Sequence, residues 1–65
     1  MEVRITESFY NDREVVIKTS DEHEDAIVVE VGFTGGGHSY QATLNRAAAL
    51  ALVHVIREAL AELEF

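Results

Sequence analysis

Polar and apolar residues alternate along this chain with two different periods, and the change falls near Leu44. Before it the period is two. Val3, Ile5 and Phe9 alternate with Arg4, Thr6 and Ser8; Val15 and Ile17 with Val16 and Lys18; and Ile27, Val29, Val31 and Phe33 with Val28, Glu30 and Gly32. Such alternation predicts strands with one buried face. All three apolar sets sit on odd numbers, so antiparallel register can be tested by arithmetic. Pairing Phe9 with Val15 sets Ile5 opposite Thr19 and leaves Asn11 to Arg13 as a three-residue loop. Pairing Thr19 with Ile27 sets Ile17 opposite Val29 and Val15 opposite Val31, with a charged tip, DEHED, at 21–25.

A third hairpin is expected around FTGGGHSY, Phe33 to Tyr40. A two-residue turn at Gly36-Gly37 needs positive φ, which glycine adopts readily. It pairs Phe33 with Tyr40, Val31 with Ala42 and Val29 with Leu44. The even-numbered face is then outermost, mixed polar, with two neighbouring valines, Val16 and Val28.

After Leu44 the period becomes helical. Asn45 is a good N-cap, and the run RAAALALVHVIREALAEL behind it holds no Gly or Pro. Ala48, Leu52, Val55, Ile56, Ala59 and Leu63 share one stripe, predicted to lie on the odd-numbered sheet face. About 18 helical residues span roughly 27 Å, close to the length of the strands below. The expected fold is α+β: a single domain, 1–65, with a four-stranded antiparallel meander in order 1-2-3-4 and one C-terminal helix packed on one face.

The helix carries more apolar surface than that stripe. Ala49, Val53 and Leu60 extend it to one side, and Leu50 lies near Arg46, His54 and Arg57. An apolar flank of this kind marks a contact with a partner. We read Ala49, Leu50, Val53, Arg57 and Leu60 as the interface of a homodimer formed through the helix. A chain of 65 residues lies near the lower limit for folding unaided, and a second copy supplies missing stability. Disulfides cannot do so, because cysteine is absent.

Twelve acidic residues against five basic ones give a formal charge of −7. The excess is concentrated in residues 1–44, with nine acids and three bases. An acidic surface repels phosphate backbones and argues against direct nucleic-acid binding. It suits solubility, a basic protein partner, or imitation of a nucleic acid. The tip residues Asp21, Glu22, His23, Glu24 and Asp25 are the expected surface for a heterologous protein partner. The longest apolar run, Ala47 to Val53, is too short to span a bilayer, and the N-terminus lacks a basic start before an apolar run. Both features point to the cytoplasm and away from membranes.

Candidate chemistry is sparse. The glycines feed a strand, not a helix N-terminus, and no Lys follows, so a phosphate loop is not indicated. His23 among four carboxylates is a conceivable weak site for a divalent cation, but it lacks the spacing and the glycine of an EF-hand. His38 and His54 stand apart, the serines lack a nucleophile-elbow context, and Glu58 with Glu62 reads as a solvated pair. No cofactor, metal or catalytic residue is expected.

The stretch SYQATLNRAAALALVHVIREAL, with Leu44, the cap residue Asn45 and the Ala47–Leu60 run, resembles small orphan accessory proteins of actinobacteria and their phages. The resemblance covers the second half of the chain. Asn45-Arg46 departs from the Thr-Pro that often opens such helices. What the resemblance implies is a small accessory protein that binds and modulates or inhibits a host protein in the host cytoplasm. It brings no catalytic residues. The expected function is thus a non-enzymatic, acidic protein-interaction module. The alternatives are an acidic nucleic-acid mimic occupying a basic site, or a weak divalent-metal-binding protein.

Overall fold

In a computed structural model that describes residues 1–6 and 11–64, four strands and one helix follow in the order expected. They are β1 (Glu2–Ile5), β2 (Arg13–Thr19), β3 (Ala26–Phe33), β4 (Ser39–Asn45) and α1 (Arg46–Leu63). The strands form one antiparallel sheet in order β1-β2-β3-β4. The β-branched runs REVVIKT and AIVVEVGF form its two central strands, where such side chains pack well.

The central pairing is as the alternation predicts: Thr19 faces Ile27, Ile17 faces Val29 and Val15 faces Val31. The hairpin closes through the Ser20 amide, which donates to the Ala26 carbonyl at 3.0 Å.

The other two registers differ from expectation. In the first hairpin Ile5 pairs with Val15, not Thr19, and Val3 pairs with Ile17. Arg13, expected in the loop, is the first residue of β2, and Phe9 lies outside the described residues. The observed register sets Glu2 opposite Lys18, and Arg4 opposite Val16, where Arg4 reaches Glu14 at 2.7 Å.

In the third hairpin Val31 pairs with Tyr40, Val29 with Ala42 and Ile27 with Leu44, so Phe33 does not meet Tyr40. The same side chains share each face, but β4 is moved by two residues and the connection is Thr34–His38. The Arg13 guanidinium, 4.9 Å over the Phe33 ring, belongs to the β2–β3 pairing, whereas one contact is specific to the β3–β4 arrangement. Gly32 pairs with Ser39, and a Cβ on Gly32 would lie 2.9 Å from the Ser39 Cβ, so β4 approaches only because residue 32 lacks a side chain. Gly36 and Gly37 do adopt positive φ, at 87° and 100°.

The helix begins where the sequence places it. Asn45 Oδ1 accepts a hydrogen bond from the Ala48 amide at 2.9 Å, the N-cap interaction. The helix packs on β4 and β3. Its stripe turns toward the odd-numbered face as expected, because Ala48, Leu52 and Val55 share a cleft with Val29, Ala42 and Leu44.

The location of the core is a correction. Among the described residues the buried apolar side chains are Val16, 3 % exposed, and Val28, 8 % exposed. Both lie on the even-numbered face, which the alternation assigns to the outside. Val16 is ringed on that face by Arg4 and Glu30 across the strands and by Glu14 and Lys18 along its own. These four charged residues form two diagonal ion pairs, Arg4–Glu14 at 2.7 Å and Lys18–Glu30 at 3.1 Å. Of these four side chains Arg4 is the most exposed, at 56 %, and Glu14 the least, at 15 %.

Candidate interaction surfaces

The odd-numbered face and the helix stripe, expected to bury each other, remain largely open. Val3, Ile5, Val31 and Phe33 are exposed on the sheet. On the helix Val55 is 57 %, Leu60 54 % and Leu63 80 % exposed, and no helical residue is buried. The helix touches the sheet with its N-terminal half and then overhangs it. Two clefts flank the line of contact. One, of about 460 Å³, lies between Val29, Ala42 and Leu44 and the helix residues Ala48, Leu52 and Val55. The other, of about 380 Å³, sets Ala49, Leu50 and Val53 against Ile27 and Thr19.

The shape is correspondingly open. The chain is 41 × 31 × 17 Å with a radius of gyration of 13.2 Å. A compact domain of this length has about 11 Å. The accessible surface is 5694 Å². A globular monomer of this mass exposes about 4,100 Å².

Of the residues expected to mediate self-association, Ala49, Leu50 and Val53 stand together at the Ile27 end of the sheet. Arg57 and Leu60 follow on the overhanging part of the helix, both exposed. The exposed sheet residues Val3, Ile5, Val31 and Phe33 belong to the same open surface, and the alternation assigned them to the core instead. A signal was present: a single helical stripe is narrow against four strands, so part of the sheet must go uncovered.

The tip 21–25 is exposed throughout. Ser20 Oγ accepts from the Glu22 and His23 amides at 3.2 and 3.1 Å, which fixes the turn. Asp25 is not a free carboxylate. It receives two hydrogen bonds from Arg46, Nη2 at 2.7 Å and Nε at 3.1 Å. These bonds, more than the Arg46 charge itself, hold the Asp25 carboxyl below its ordinary range. The same bonds raise Arg46 above its usual value. Tip and helix start are thereby tied together. Among the described residues no three His, Asp or Glu side chains converge as metal ligands.

A polar hollow of about 420 Å³ lies on the even-numbered face beside the glycine turn, between Arg4, Glu14, Glu30 and His38. Its floor is open because Gly32 has no side chain. Arg4, Glu14 and Glu30 are already engaged in the ion pairs above, so the hollow presents compensated charge. His54 Nε2 lies 2.7 Å from Glu58 on the solvent side of the helix, far in sequence from His38 and His23. No described helix is long and apolar enough to cross a membrane. Comparison with protein-family models, curated proteins and solved structures finds no match.

Proposed function

We propose that this chain is a small acidic protein-interaction module that works as a homodimer and acts by binding, without catalysis. The observation that carries this reading is the open apolar face formed by the odd-numbered side of the sheet and the helix stripe. Soluble monomers rarely leave a continuous apolar surface of this extent uncovered. A chain whose described core amounts to Val16 and Val28 needs further burial to offset the entropy of folding.

The surplus surface, roughly 1,600 Å² per chain over a compact monomer, has the right size. Covered on two copies, it makes an interface in the range of obligate dimers. The charged even-numbered face and the tip 21–25 then point outward, available to a heterologous protein with basic groups. Imitation of a nucleic acid draws less support, because Glu14, Glu30 and Asp25 are each paired with a cation of the chain itself.

Light scattering after size exclusion tests the reading. The expected mass is twice the 7.2 kDa of one chain, and Val53→Glu is expected to reduce the assembly. A folded wild-type monomer at tens of micromolar overturns it.

A further inference from the structure

We infer that the two copies embrace: the overhanging half of each helix lies on the uncovered half of the other copy's sheet. This rests on the homodimer reading above and specifies which surfaces meet.

The open surface has two unlike parts. One is a projecting rod, the helix beyond Val55, whose exposed apolar residues include Ile56, Leu60 and Leu63. The other is a flat floor, the odd-numbered face around Ile5, Val31 and Phe33, which the chain's own helix does not reach. A two-fold interface joins one patch to itself, so residue i of one copy meets j of the other and the reverse. A patch containing both a rod and a bare floor satisfies that condition by exchange. Each rod covers the other's floor, and two equivalent contacts form at once.

Two simpler arrangements cover less. Helix against helix buries the stripes but leaves Ile5, Val31 and Phe33 in water. Sheet against sheet is obstructed by the helices that stand on the same faces. Exchange alone removes both exposed sets.

Dimensions agree. The eight helical residues 56–63 make a rod of roughly 12 Å, and Ile5 and Val31, each paired with Val15, lie two strand spacings apart, roughly 10 Å. The rod's stripe from Val55 to Leu63 is free of charge at 55, 56, 59, 60 and 63. The far end of the floor carries Arg13, stacked on Phe33 and 3.9 Å from Asp12, so the charge there is compensated and the fit rests on the apolar residues. A second copy is also the partner present whenever the chain is made, as a core this small requires.

The test uses the wild-type chain. Isotope-labelled and unlabelled chains are unfolded, mixed and refolded together, and filtered nuclear Overhauser spectra are recorded that pass only contacts between copies. The expected contacts join methyl groups of Ile56, Leu60 or Leu63 to those of Ile5 or Val31. A dimer whose intermolecular contacts join only helix to helix, or only sheet to sheet, overturns the embrace while leaving the homodimer intact. A monomer by light scattering overturns both.

Discussion

The Asp25 carboxylate grips the Arg46 guanidinium through two hydrogen bonds, 2.7 and 3.1 Å long, and so ties the β2–β3 tip to the first residue of the helix. Bidentate geometry of this kind fixes direction as well as distance. Ala26 and Asn45, the next residues inward, are partners across the sheet. The helix thus leaves β4 at an angle set by one ion pair and one strand pairing. Much of what the open face can meet follows from that angle.

The pair makes a pH prediction. Hydrogen bonding from Arg46 lowers the folded-state pKa of Asp25 below its ordinary 3.8. A depressed carboxyl contributes stability above its unfolded pKa and loses it as pH falls through the folded one. Asp25→Asn is therefore expected to lower the urea midpoint most at neutral pH, with the gap to wild type closing in acid below pH 3.8. Both partners are exposed, so the gap should also narrow in 1 M salt. An equal gap at pH 7 and in strong acid counts against the pair.

Asn45 supplies a second measurable contribution. Its Oδ1 satisfies the Ala48 amide, one of the donors a helix start leaves unpaired. Asn45→Ala is expected to cost about 1 kcal/mol in urea unfolding, and Asn45→Ser close to nothing. Equal losses in the two variants would show that the amide bond is not the source.

Local chemistry explains which elements were legible in the sequence. Period two located the first three strands, the glycine run located the fourth, and the helical period located the helix. The central register followed because both strands carry one apolar set at fixed parity. The outer registers did not follow, since a shift of two or four residues keeps every apolar side chain on its face. What goes with the observed ones is local pairing: Glu2 opposite Lys18 in the first hairpin, and the close approach of Ser39 to Gly32 in the third. Val16 and Val28 read as outside because alternation counts their neighbours as polar, whereas Arg4, Glu14, Lys18 and Glu30 ring Val16 on that face. The apolar flank at Ala49, Leu50, Val53 and Leu60 was legible. The open sheet floor was legible only in outline, from one helical stripe being narrow against four strands, because a pattern of apolar positions does not say how far a helix reaches.

The glycine turn separates two roles within one run. Gly36 has a φ of 87°, where a Cβ is strained, while Gly35 lies outside that region and a Cβ there would meet nothing within 4 Å. Gly36→Ala is expected to destabilise by about 1 kcal/mol or more, and Gly35→Ala to be neutral or stabilising by a few tenths, through the unfolded chain. Thermal melts of the two variants check this contrast. Similar losses would mean that the turn does not need positive φ at residue 36.

Truncating two valines distinguishes a core that one chain completes from one that two chains share. Val16 is 3 % exposed and Val55 57 % exposed within a single chain. Val→Ala removes two methyl groups, at about 0.8 kcal/mol each when fully buried. Val16→Ala is thus expected to cost about 1.5 kcal/mol whatever the assembly. Val55→Ala in an isolated chain would cost about half that, since more than half of the side chain is already wet. Covered by a second copy, it costs as much per chain as Val16→Ala, and the loss appears twice in each dimer. The melting temperature of the wild type is also expected to rise with protein concentration, as it must when unfolding and dissociation are one event. A concentration-independent midpoint together with a small effect of Val55→Ala would mean that the open face stays open in solution.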